Sequence, residues 1–187
     1  MTTLSQYTHN TVPTQFVEAD GIRFAYRRFG RPDTAAPPLV LVQHFRGNLD
    51  NHDSAITDRL AQDREVILFD NTGVGQSTGQ APDTIEGMAR DAAAFVDALG
   101  LDTIDIFGHS MGGHVSQQLL VDRPELIRRA ALVDTGPPPG SGGHRRTAAT
   151  TTCRPSSSQS SSSTVSPTLS SRRSTPTSSS STCPMPS

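Results

Sequence analysis

Two short strand-like runs, residues 14–18 and 22–28, flank an Asp20-Gly21 pair. Asp-Gly supplies the positive φ angles of a two-residue hairpin turn, so the segment predicts a β-hairpin. A proline-rich connection over residues 32–38 leads into Leu39-Val40-Leu41-Val42, an unbroken apolar run, and Val66-Ile67-Leu68-Phe69 repeats the pattern. Continuous runs of this kind suit strands covered on both faces. Between them, residues 54–62 place Ala55, Ile56, Leu60 and Ala61 at helix-like spacing.

The next helix is the best defined in the chain. Asp83 can cap its start with Glu86 three residues on, and Ile85, Met88, Ala92, Phe95, Val96 and Leu99 fall on one face. Gly100 is placed to end it in a left-handed conformation. Residues 103–107 then read as a strand, 111–122 as a helix stopped near Pro124, and 130–134 as a fourth apolar strand. Alternation at this spacing predicts the α/β class: right-handed crossovers and a doubly wound, mostly parallel sheet with helices on both faces. The sequence shows no internal repeat.

Composition divides the 187 residues into unlike parts. Residues 1–140 hold all 18 acidic residues against 11 of the 16 arginines, a formal charge of −7, whereas residues 141–187 hold five arginines and no acid. Those last 47 residues contain 26 Ser plus Thr and no aromatic residue. Such a composition cannot bury enough apolar surface to offset chain entropy, so a disordered tail is expected there. The organisation read from the sequence is an N-terminal arm over residues 1–13, a core over 14–140 and a Ser/Thr/Pro/Arg-rich tail over 141–187.

Charge and composition exclude several classes. The chain has no lysine, and its arginines are scattered over a mildly acidic core, which offers no basic stripe for nucleic acid. The first ten residues are polar, and no run approaches the roughly 18 apolar residues of a membrane span, so a soluble, cytoplasmic protein is expected. Both cysteines, Cys153 and Cys183, lie in the tail, and no disulfide framework or Cys-based metal site is supported. No metal or organic cofactor is implied, and nothing specifies an oligomeric state.

The chemistry is carried by Gly108-His109-Ser110-Met111-Gly112-Gly113, which fits G-x-S-x-G where a strand is expected to end and a helix to begin. A serine on so sharp a turn projects its hydroxyl from the sheet, and the backbones come close enough that Gly108 and Gly112 are required on either side. The Met111 amide, first in its helix, has no intrahelical acceptor and sits at the positive end of the dipole. A second amide donor is expected from Gln43-His44-Phe45-Arg46-Gly47-Asn48 after the earlier strand, with Phe45 as candidate. Two such donors aimed at a developing oxyanion are worth roughly 3 kcal/mol of barrier each.

Together with Phe69-Asp70-Asn71-Thr72-Gly73-Val74-Gly75-Gln76-Ser77 after the second buried strand, these segments resemble the α/β-hydrolase fold superfamily over residues 14–140. The middle segment is similar to the family's D-x-R-G-x-G-x-S turn, with Thr72 where many members have arginine. His44 stands where many have glycine. The resemblance implies Ser110 as nucleophile, the amides of Phe45 and Met111 as oxyanion donors, and hydrolysis of a small ester or related carbonyl substrate. A serine at the elbow disfavours epoxide and haloalkane hydrolysis, for which similar proteins use aspartate.

The same resemblance implies an acid and then a histidine after Ser110. The histidines that follow are His114, inside the next helix, and His144, in the tail; neither is placed as a base. Asp134, ending the fourth strand, is a weak candidate for the acid. Without a base the chain is expected to be impaired, either a nearly inactive esterase-like protein or a non-catalytic remnant that binds a ligand on the same fold. Arg172-Arg173-Ser174 also resembles a basic kinase site. The acid-free stretch joined to an enzyme-like core reads as a truncation or change of reading frame near codon 140, leaving residues 130–134 as an exposed sheet edge that favours aggregation. Reading the genomic DNA past codon 140 in the other two frames should reveal a strand-helix pattern ending in a histidine motif; its absence from both frames would overturn the frame-change reading.

Overall fold

The computed structural model describes residues 7–137 and 150–153. The chain opens with the expected hairpin, β1 (Gln15–Ala19) and β2 (Ile22–Gly30), closed by Asp20 at φ 50° and Gly21 at φ 77°. The four unbroken apolar residues form β3 (Leu39–Val42), followed by α1 (Ser54–Ala61), β4 (Glu65–Phe69), α2 (Ile85–Ala98), β5 (Ile104–His109), α3 (Met111–Asp122) and β6 (Ile127–Val133). A last strand, β7 (Thr150–Cys153), completes a seven-stranded sheet in the order β1-β2-β4-β3-β5-β6-β7.

Strands β4, β3, β5 and β6 run parallel, while β1, β2 and β7 add antiparallel pairs at the two sides. The side-chain period of two divides β3 between two apolar layers. Val40 and Val42 join Phe69, Phe95, Val96, Ile106, Val115 and Leu119 in a core with α2 and α3, whereas Leu39 and Leu41 pack with Phe29, Ala61, Val66 and Leu68 on the α1 side. That is why the run carries no polar residue. Phe69 and Phe95 stack at 4.4 Å between centroids and join the sheet to α2.

Local signals were partly reassigned. Thr84, not Asp83, caps α2, its hydroxyl accepting from the Gly87 amide at 3.1 Å. Gly100, at φ 68°, ends it as expected, its amide donating to Asp97 O at 2.9 Å and that of Leu101 to Val96 O at 3.4 Å. In α1 the inward residues are Thr57 and Ala61, while Ile56 is exposed. The Thr57 hydroxyl meets His9 Nδ1 at 2.8 Å, and the His9 amide donates to Asp58 at 2.7 Å, so the end of the N-terminal arm packs onto α1.

The expectation that β6 forms an exposed edge is corrected: Arg129 to Leu132 pair antiparallel with β7. The segment supplying that strand is Thr150-Thr151-Thr152-Cys153, and β-branched threonine favours extended backbone. The remainder of the expected tail, with His144, Cys183 and Arg172-Arg173-Ser174, lies outside the described residues.

At the N-terminal end of β5, buried Asp105 accepts from Arg64 at 2.9 Å and from Arg128 at 2.8 and 3.0 Å. Burial pushes its carboxyl up, but the hydrogen bonds from Arg128 and Arg64 outweigh this and hold it below the ordinary carboxylate value. A depressed folded pKa adds stability above the unfolded pKa and loses it as pH falls through the folded one. Asp105→Asn should cost about 3 kcal/mol at neutral pH, because two arginines lose their counter-charge. The difference between urea melts of the two proteins should begin to shrink only below about pH 4, the range of an unperturbed aspartate, and close as pH falls through the lower folded value.

Candidate functional site

The order β4-β3-β5 determines where loops meet. The connection from β3 leads to β4 on one side, and that from β4 crosses back to β5 on the other, so β3 and β5 lie side by side at a topological switch point. Crevices at the carboxyl ends of such strands are where open α/β sheets bind ligands. Val42 pairs with Gly108 in register, which sets the loop after β3 beside the turn after β5.

Ser110 occupies that turn at φ 53°, ψ −118°, between the last residue of β5 and the first of α3. A non-glycine residue rarely adopts this conformation, at a cost on the order of 1–3 kcal/mol, and it persists only when neighbours over-determine it. Three hydrogen bonds do so: the Ser110 amide donates to Val133 O at 2.9 Å, and its carbonyl accepts from the Gly113 amide at 3.0 Å and the Thr135 hydroxyl at 2.9 Å. The Ser110 side chain makes no capping bond to α3.

The glycines account for the sharpness of the bend. A Cβ at Gly108 would lie 2.5 Å from Gly112 O and from the Ser116 hydroxyl. At Gly112 it would run into the carbonyls of Val42 and Gln43, and at Gly113 into the Thr135 side chain. Ser116 itself is fully buried and donates to Gly112 O at 2.7 Å. The sequence pointed to Gly108 and Gly112. Gly113 and Thr135 were missed: the doublet was visible, but the role of Thr135 depends on β6 lying beside β5.

The loop after β3 is held by its own side chains and by Asp70. Gln43 Oε1 accepts from the His44 amide at 3.0 Å, and its amide nitrogen donates to Asn48 O at 3.2 Å. Buried Asp70 accepts from the Leu49 amide at 2.7 Å through one carboxylate oxygen and from the Gln76 amide at 2.8 Å through the other. Burial raises its pKa, and the two amides oppose that shift. The sequence singled out this segment for its pattern; the structure shows the acid joining two loops.

Phe45 is 65% exposed at the loop tip. Its amide and that of Met111 donate to no carbonyl among the described residues. The two residues line one cavity of about 100 Å³, walled by Phe24, Phe69, Val74 and Met88, with Arg46, Asn71, Thr72 and Asp91 as polar members. Thr72, where related turns often carry arginine, donates its hydroxyl to Asp91 at 2.6 Å.

The histidines around the turn face one another. The rings of His44 and His109 meet edge to face at 5.6 Å, and His44 Nδ1 lies 2.9 Å from Phe45 O. His52, which sequence reasoning did not single out, has its pKa lowered to about 4 by burial and then by the charges of His9, His109 and His44. His114 sits within α3, its Nδ1 buried and without a hydrogen-bond partner. Asp134 follows β6 at φ 52°, exposed and without a bond to Ser110. No group of three or more His, Cys, Asp or Glu residues suited to a metal ion occurs among the described residues, and no helix there is long and apolar enough to cross a membrane.

A family model described as alpha/beta hydrolase fold matches residues 37–154. An alpha/beta hydrolase fold protein from Chitinophaga pinensis superposes with a TM-score of 0.65 at 43% identity, covering 68% of this chain and 46% of that one. The dihydrolipoyllysine-residue acetyltransferase component of the acetoin cleaving system of Cupriavidus necator is 39% identical over 64% of this chain and 31% of its own length. RutD of Rhizobium rhizogenes, named for carbamate hydrolysis, is 29% identical over 60% of this chain and 43% of its own. The chain thus spans less than half the length of each.

Ser110→Gly should be more stable than Ser110→Ala by about 1 kcal/mol, since glycine adopts a positive φ at little steric cost and alanine keeps the strain. Thermal unfolding of the two variants checks this: equal midpoints would show a relaxed turn.

Proposed function

This chain belongs to the alpha/beta hydrolase fold family, and on that premise we propose that it carries the nucleophile half of a serine hydrolase acting on a small ester or related carbonyl compound. Ser110 is the nucleophile and the amides of Phe45 and Met111 are the oxyanion donors. The observation that carries the reading is the backbone of Ser110, a left-handed residue between strand and helix. The carbamate-hydrolase name of one relative supports the same chemical class, attack on an acyl carbon.

In this mechanism the Ser110 oxygen adds to the acyl carbon, and the resulting oxyanion takes hydrogen bonds from Phe45 and Met111, whose amides are otherwise unused. The hydroxyl must lose its proton as it attacks, which calls for a histidine held by an acid. Among the described residues the Ser110 hydroxyl has no hydrogen-bond partner, and His44 and His109 turn their rings to each other. Turnover by the chain as it stands should therefore be impaired by on the order of 10⁶, the usual consequence of losing the base, or roughly 8 kcal/mol of barrier. The same observation favours a second reading, a non-catalytic ligand-binding protein built on this site.

A fluorophosphonate probe distinguishes them. Slow labelling of the full chain that disappears in Ser110→Ala supports a primed serine; labelling unchanged by that substitution would remove the nucleophile assignment. Saturable ligand binding with neither labelling nor turnover would favour the non-catalytic protein.

A further inference from the structure

Arg46 combines three features that acyl transfer itself does not require. It follows the candidate oxyanion residue Phe45 directly and lines the same cavity as Phe45 and Met111. Its backbone stands at φ 60°, a conformation that L side chains adopt only when the surroundings enforce it and that collects at ligand-binding loops. It is exposed and takes part in none of the ion pairs among the described residues, whereas six other arginines engage carboxylates.

We infer that Arg46 is an anion-recognising residue of this site: the ligand carries a carboxylate near its acyl carbon, held at the cavity mouth by the Arg46 guanidinium, and a short apolar chain that enters the cavity. This names a substrate class for the site proposed above, and so rests on that reading for the reaction though not for the binding. The planar guanidinium offers paired donors that match a carboxylate. The walls contributed by Phe24, Phe69, Val74, Met88 and Ala92 are apolar and suit a hydrocarbon chain. Asp91, already accepting from Thr72, places negative charge along that cavity and keeps an anion at the mouth. At about 100 Å³ the space is smaller than a 150 Å³ cavity that accepts benzene, which limits the chain to about four carbons.

Butyrate and butyramide, nearly identical in shape and different in charge, test the assignment on the full 187-residue chain by NMR titration at neutral pH. Butyrate should bind about tenfold tighter, Arg46→Gln should reduce the preference to about twofold or less, and Arg46→Lys should retain only part of it, since an ammonium keeps the charge but not the paired donors. Because Arg46 is exposed, 1 M salt should compress the preference in the unmodified chain, which keeps the test decisive even if a variant fails to fold. Equal affinity for the two probes, no binding of either, a preference insensitive to salt, or a preference that survives Arg46→Gln would overturn the inference; the last would assign the carboxylate to the Phe45 and Met111 amides. Butyrate preference without Ser110-dependent fluorophosphonate labelling would sink the hydrolase reading and leave the anion site standing.

Discussion

The first turn of α3 approaches the carboxyl end of β3 so closely that the Val42 carbonyl occupies the space a side chain at residue 112 would need. Most of the site follows from that contact. It brings α3 down onto the sheet, forces the chain to leave β5 through a single left-handed residue, and sets the Met111 amide beside the loop that holds Phe45. The contact survives because the groups around it are mutually satisfied. The Ser110 amide is tied to β6, its carbonyl to Gly113 and Thr135, and the buried Ser116 hydroxyl bonds back to Gly112. Strain at one residue is thereby spread over elements from three parts of the sheet.

Much of the architecture was legible in the sequence because both of its signals are local. The unbroken apolar runs at Leu39 and Val66 report strands covered on two faces, and the actual layers divide Leu39 and Leu41 from Val40 and Val42. Gly108 and Gly112 report the bend for a similar reason, since a missing side chain is visible wherever backbones must touch. Failures occur where a distant partner decides. Ile56 is as apolar as an inward residue should be, yet Thr57 faces in, because its hydroxyl is matched by His9 from a segment 48 residues away. Thr135 and Arg46 carry no pattern at all; one matters through β6 lying beside β5, the other through the shape of a cavity. The strand β7 was missed because four residues of Thr and Cys within a Ser/Thr-rich stretch resemble their surroundings in composition while differing in what they pair with.

The two ends of the sheet are built by different physics. At the amino end of β5, Asp105 sits between Arg64 and Arg128, and a buried charge is held by opposite charge. At the carboxyl end the groups nearest Ser110 are backbone amides and imidazole rings, Asp70 is held by two amides rather than by a cation, and burial keeps His52 from protonating. Fixed amide dipoles need no rearrangement when charge develops beside them. A permanent ion pair at that end would compete for the same donors.

Asp70 has a consequence that goes beyond its own two hydrogen bonds. One oxygen is bound to the segment after β3 and the other to the turn after β4, so the separation of these two loops is fixed by the width of a single carboxylate. Neither can gain or lose a residue without dragging the other. At the opposite end of the strands Arg64 plays a comparable part, its guanidinium donating to Pro37 O in the connection before β3 and to Asp105 on β5, so length variation among proteins sharing both ties should be found at β1.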